Sequence, residues 1–138
     1  MTRINVVPVK ELTVKHLVAE YREITRLPKN LHTSLNRKGK GFSFSEIPQS
    51  YTLGKGHVKY FYDKMKYLKI RFEQLVSEML NRGYNPQYRD SSIFENCPKE
   101  FFNDYTPNVE AMIINKDRIA ERLISNSRIK EMSKFNIS

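Results

Sequence analysis

The chain has 138 residues, a length that fits one domain with a single, thin core. Hydrophobic residues make up 39% and charged residues 28%, the balance of a folded chain rather than a disordered one. No apolar run approaches the roughly 20 residues that cross a bilayer. The start, Met1 to Asn5, lacks the apolar stretch of a secretory signal. A lone cysteine, Cys97, excludes an internal disulfide and fits a reducing cytoplasm.

Lys and Arg number 24 against 15 Asp and Glu, a net charge of +9 with a pI near 9.7. The excess is clustered. Residues 1–40 hold nine bases (Arg3, Lys10, Lys15, Arg22, Arg26, Lys29, Arg37, Lys38, Lys40) and three acids (Glu11, Glu20, Glu23). Such clustering is the footprint of a polyanion-binding surface, because neutralised phosphates release counterions. The plainer reading is a charged coat that serves solubility.

Residues 1–12 form an N-terminal arm, extended through residue 11, where Val and Pro show no helical period. Thr13 is the expected N-cap of a helix over 13–37. Its Leu17, Tyr21 and Ile24 recur at i, i+4, i+7, flanked by Val14 and Val18. Pro28 should break or kink this helix near Arg26. A weaker stretch resumes with Leu31 and Leu35 and ends before Gly39. Residues 37–56 are rich in breakers and read as a loop. A second helix is expected over 57–82, where Val58, Phe61, Met65, Leu68, Phe72, Leu75 and Met79 alternate steps of three and four. Gly83 is its natural C′ residue. Residues 84–107 read as a long packed loop. A third helix over 108–124, capped by Asn108, should turn Val109, Met112, Ile113, Ile119, Ala120 and Leu123 inward. Residues 125–138 form a tail. With three main helices, long loops and no convincing strand pair, the expected fold is all-α, one compact domain without significant sheet.

His16, Glu20 and Glu23 run at i, i+4, i+7 beside the apolar stripe of the first helix. Arg22 and Arg26 are four apart, and Glu23 and Arg26 three apart, so these side chains can meet. Such a stripe is ordinarily a solvated helix face carrying an ion pair. His16, His32 and His57 have no ligand spacing, and no metal site is expected. Gly-Lys-Gly at 39–41 and 54–56 lacks the strand and helix context of a phosphate loop; both copies read as turns carrying a phosphate-contacting lysine. No Ser or Cys nucleophile can be assigned. The residues alone describe a basic α-helical nucleic-acid binder with its active site undetermined.

Several blocks go further. Met-Thr-Arg-Ile-Asn at the start, His-Leu-Val-Ala-Glu-Tyr-Arg-Glu at 16–23, Arg26, and Gly-His-Val-Lys-Tyr-Phe-Tyr-Asp-Lys at 56–64 resemble the phage pyrimidine-dimer DNA glycosylases, the endonuclease V family of T-even phages. Arg-Gly-Tyr-Asn at 82–85, Pro-Lys-Glu-Phe at 98–101 and Asp-Tyr-Thr-Pro at 104–107 continue the resemblance in order, which covers residues 1–124.

The resemblance implies a glycosylase and abasic-site lyase. Its nucleophile is the α-amine of Thr2, exposed by removal of Met1, and its catalytic carboxylate is Glu23. An α-amine titrates near 7.7–8.0, so a useful neutral fraction exists at working pH, unlike a lysine near 10.4. Reach is adequate, since eleven extended residues span about 35 Å against about 15 Å of helix from Thr13 to Glu23. The resemblance further implies DNA contacts by Arg3, Arg22, Arg26, Arg118 and Arg122, with His16 positioning the site. It implies a monomer acting on double-stranded DNA that contains pyrimidine dimers or abasic sites, in the cytoplasm of a bacterium or phage-infected host, without cofactor, metal or membrane. Thr25 stands where the family has Pro, and Arg122 where it has Lys. The tail 125–138 holds one aromatic, Phe135, where the family's tail is aromatic-rich. A glycosylase/lyase of altered lesion preference therefore stays open beside the dimer enzyme, as does a non-catalytic helical DNA-binding protein.

Overall fold

The computed structural model of the protein describes residues 4–36, 44–54 and 56–121. Thr2, Arg3, Lys55, Arg122, Leu123, the turn at 39–41 and the tail with Phe135 lie outside the described residues.

Thr13 starts the first helix as expected. Its backbone is extended (φ −67°, ψ 161°), which turns Oγ1 back to accept from the His16 N–H at 3.3 Å. That satisfies one of the donors left over at a helix start. Helix α1 (Val14–Ile24) buries Leu17, Glu20 and Ile24. Pro28 has no N–H to offer the Ile24 carbonyl, and its ring crowds that carbonyl. The chain therefore breaks at Thr25, and α2 (Arg26–Leu35) begins at the next residue. Pro28 then lies in the first turn of α2, where an N–H would have no intrahelical partner anyway.

The apolar seam expected over 57–82 is buried, with Phe61, Met65, Leu68, Phe72, Leu75 and Met79 in the core and Val58 packed against it. The helix itself is interrupted. Gly56, with φ +90°, precedes the short α3 (His57–Tyr60), a turn follows, and α4 (Met65–Asn81) completes the seam. Three-residue bonds carry the turn, from Tyr62 N–H to the Lys59 carbonyl and from Lys64 N–H to the Phe61 carbonyl, so the chain advances without losing its inward face. The carbonyls released there are satisfied. The Lys64 ammonium donates to Tyr60 O at 2.8 Å, and the Asn103 amide to Asp63 O at 2.9 Å.

Helix α4 ends on the predicted glycine. Gly83 N–H donates to Leu80 O (3.1 Å) and Tyr84 N–H to Met79 O (2.9 Å), the paired bonds of a Schellman turn, with Gly83 at φ +89°. Residues 84–107 pack as a loop with 3-10 turns at Ser91–Glu95 and Lys99–Phe101, and they send Phe94 and Phe101 into the core. The Tyr21 phenol fastens this loop to α1, donating to Tyr88 O (2.7 Å) and accepting from Tyr88 N–H (3.0 Å).

The last described helix, α5 (109–121), starts at Asn108, whose Oδ1 accepts from Ala111 N–H at 2.8 Å. Its inward face differs from the expected one. Met112 and Ile119 pack on the core, but Val109 is 76% and Ile113 53% exposed, and Ala120 is exposed. The helix instead buries Ala111 and Asn115, residues at i and i+4 that continue to Ile119. A buried polar side chain, invisible to apolar periodicity, decides the rotation.

Among the described residues there is no strand, and the fold is all-α. Helix α4 packs against α1, against the turn at Val9–Glu11 and against Ser91–Glu95. No described helix is long and apolar enough to cross a membrane. A methyl added at Gly83 would meet nothing within 4 Å, so Gly83→Ala carries a backbone cost alone. It should destabilise the protein by about 1 kcal/mol, read as a lower urea midpoint at unchanged slope.

Candidate active site

The arm enters the core. Ile4, Asn5, Val6 and Val7 are each at most 5% exposed, although they belong to no helix or strand. Buried backbone of this kind must find hydrogen-bond partners elsewhere, and side chains from three other parts of the chain supply them. Ile4 N–H donates to His57 Nε2 at 2.7 Å, and Ile4 O accepts from the Tyr51 hydroxyl at 3.2 Å. Because Nε2 accepts, His57 is neutral with its proton on Nδ1, which lies 2.8 Å from the Thr52 carbonyl. The imidazole is held edge-on between Tyr51 and Phe61, 5.6 Å from each ring centre.

The next three residues are held by a closed ring of hydrogen bonds. Val6 N–H (2.7 Å) and Val7 N–H (3.2 Å) both donate to Asn115 Oδ1. Asn115 Nδ2 donates to Asn5 Oδ1, and Asn5 Nδ2 donates to Glu20 Oε1, each at 2.8 Å. Arg71 grips the same carboxylate through Nε (2.7 Å) and Nη2 (3.0 Å), and its Nη1 returns to the Val7 carbonyl. All four side chains are at most 3% exposed. Burial works against the Arg71 charge, yet the Glu20 carboxylate holds its pKa above the ordinary arginine value. Beside it, burial pushes the Tyr67 phenol up to about 12, against the pull of the Arg71 charge.

Glu23 lies one turn after Glu20 on α1. Its carboxylate is 20% exposed and meets Arg26 Nη1 at 3.0 Å, while the Arg26 side chain is 62% exposed. Arg22 is exposed, and His16 is half-buried with Nδ1 2.8 Å from Thr13 Oγ1. The structure thus joins Glu23 to Arg26, and His16 to the helix start. Arg118, on α5, lies 3.6 Å from Glu121, and its buried Nε has no hydrogen-bond partner among the described residues. No three His, Cys, Asp or Glu side chains among the described residues converge as metal ligands.

Asn5, Tyr51, Arg71 and Asn115 are not among the residues expected at the site, His57 is weighed only as a metal ligand, and Glu20, expected on a solvated stripe, is buried. Two signals were available. Arg71 sits between Leu68 and Leu75 inside the apolar seam, and Asn115 sits four residues from both Ala111 and Ile119. A polar residue at an inward position is one that has partners there.

The chain is basic and all-α, and its buried arm is hydrogen-bonded to the helix that carries Glu20 and Glu23. A model of the pyrimidine dimer DNA glycosylase family matches residues 1–92, two thirds of the chain, and the chain belongs to that family. It is a DNA-repair N-glycosylase, and its substrate is DNA. The match spans the arm and α1 to α4; Asn115 and Arg118 lie beyond it.

Removing one partner of the buried ion pair leaves the other charge uncompensated, which costs about 3–5 kcal/mol. Arg71→Met, which keeps the length of the stem, should lower urea stability by about that amount. A loss below about 1 kcal/mol would show that Glu20 and Val7 O are satisfied without it.

Proposed function

We propose that the enzyme removes the base of a pyrimidine dimer by attack of the Thr2 α-amine on C1′ and then nicks the strand. The neutral amine forms the new N–C1′ bond as the glycosidic bond breaks, and the base leaves with that electron pair and takes up a proton. Opening of the sugar gives a protonated imine, which is an electron sink. Loss of a C2′ proton then drives the C2′–H electrons toward the iminium, and the C3′–O bond breaks to release the phosphate. Water hydrolyses the imine and frees the amine. Glu23 stabilises the positive charge on the sugar and relays protons. Arg22, Arg26 and Arg118, together with Arg3 and Arg122, hold backbone phosphates, and His16 positions the site.

The observation that carries this reading is the anchored arm. Ile4 is held at both its N–H and its carbonyl, and it stands two positions from Thr2, a reach of about 7 Å. Asn5 touches Glu20, and Glu23 is one helical turn further, a rise of about 4.5 Å. An amine at residue 2 can therefore meet the Glu23 carboxylate. Exposed Arg22 near the end of α1 and Arg26 at the start of α2 supply cationic contacts for the substrate. The enzyme in this reading works as a monomer on double-stranded DNA containing dimers or abasic sites.

Borohydride reduction in the presence of duplex DNA tests the proposal. Covalent trapping on ultraviolet-irradiated and abasic duplexes is expected, lost when the N-terminus is chemically blocked, and the mass of the mature protein should lack Met1. Absence of trapping on both substrates would sink the amine mechanism. Glu23→Gln should slow cleavage at least about 100-fold with DNA affinity largely kept; cleavage at the parent rate would remove Glu23 from its role. Comparison of dimer with oxidised-base duplexes sets the lesion.

A further inference from the structure

We infer that Asn115 is a positioning residue for the nucleophilic end of the arm. It acts through the hydrogen-bond ring and not on the substrate. The inference rests on the proposed role of the Thr2 amine.

Asn115 is 0% exposed and stands more than a hundred positions from the residues it binds. One oxygen accepts from two consecutive backbone N–H groups, those of Val6 and Val7. Consecutive N–H groups point the same way only where a chain bends, because in an extended strand they alternate. Asn115 therefore defines a bend in the arm and sets the direction in which the chain runs from Asn5 toward residue 2. Its amide simultaneously donates to Asn5, which orients the Asn5 amide onto Glu20. Deleting the side chain leaves two buried N–H groups and the Asn5 Oδ1 without a partner, and it opens the ring at its one link to α5. The other links, through Glu20 and Arg71, still hold Val7 O and Asn5 Nδ2. The arm then stays attached but loses its bend. Arg118 lies three residues further along α5, so the clamp on the arm and a candidate phosphate contact share one helix.

The test uses the full chain and a duplex with one abasic site, with enzyme in excess and borohydride quenching. At saturating enzyme, Asn115→Ala should lower the rate constant of covalent trapping about 10- to 100-fold, since a displacement near 1 Å can cost that much. The Kd for the duplex should move less than about threefold, a KM-against-kcat split in multiple-turnover terms. A merely structural role would reduce the folded fraction and raise the enzyme needed for saturation, leaving the saturating rate constant at the parent value. That result overturns the inference. Asn115→Leu, which fills the space but offers neither acceptor nor donor, carries the same comparison if the Ala variant does not fold, and a parent rate constant there overturns it equally. Trapping absent from the parent enzyme would instead remove the amine mechanism itself, so the two failures are told apart.

Discussion

A carboxylate and a guanidinium placed together in a protein core are tolerated only when their mutual attraction is joined by hydrogen bonds to every remaining donor and acceptor. Glu20 and Arg71 meet that condition through the arm. Arg71 uses two nitrogens on the carboxylate and a third on the Val7 carbonyl, while Glu20 Oε1 takes a further donor from Asn5. Neither residue is satisfied without the arm, and the arm's backbone is not satisfied without them. A segment with no helix or strand of its own is thereby buried and hydrogen-bonded in the core. The same pair joins α1 to α4, so one interaction ties the arm to both central helices.

The consequence for function follows from where chain ends normally stand. The first residues of a domain are usually its least ordered part, free to sample many positions. A nucleophile located there would face a large orientational cost unless the chain were fixed within a few residues of it. Here the backbone is held at Ile4 by His57 and Tyr51, at Val6 and Val7 by Asn115, and at Val7 by Arg71. The exposed guanidinium of Arg26 and the partly exposed Glu23 lie on the neighbouring helix segment, outside the ring. Buried polar groups order the arm, and the groups proposed to meet DNA keep contact with solvent.

Much of this fold was legible in residue patterns because helices advertise themselves by period and by punctuation. Thr13, Pro28, Gly83 and Asn108 each do at their positions what their chemistry demands, and the seam from Phe61 to Met79 is buried as spaced. The errors share one cause. Apolar periodicity assumes that inward positions are apolar, so α5 was turned to bury Val109, Ile113 and Ala120, and Glu20 was assigned to solvent. In both places a polar side chain occupies the inward position, because the arm that it binds comes from elsewhere in the chain. Pairings across 15, 51 and 110 positions leave no local trace. The break of the second helix into α3 and α4 was hidden for a related reason, since the turn at 61–64 keeps the seam's spacing. The site was legible only in part: Glu23 beside Arg26 follows from a separation of three, which survives the break at Thr25, whereas the anchoring of the arm does not.

The division between α1 to α4 and α5 bears on how such a site tolerates change. The family match covers the arm and the elements that carry Glu20, Glu23, Arg26, His57 and Arg71, and it stops before α5. Yet α5 closes the ring. Asn115 is the one side chain that takes both the Val6 and Val7 N–H groups, and no described backbone carbonyl is bonded to either. A helix outside the matched stretch thus completes the polar accounting of a segment inside it. Substitutions in α5 that rotate the helix by one position would carry Asn115 off the arm while leaving its apolar contacts to be rebuilt from Met112, Ile114 and Ile119. Specificity of helix rotation, which apolar side chains on nearly every side of α5 supply poorly, is therefore set by a buried amide.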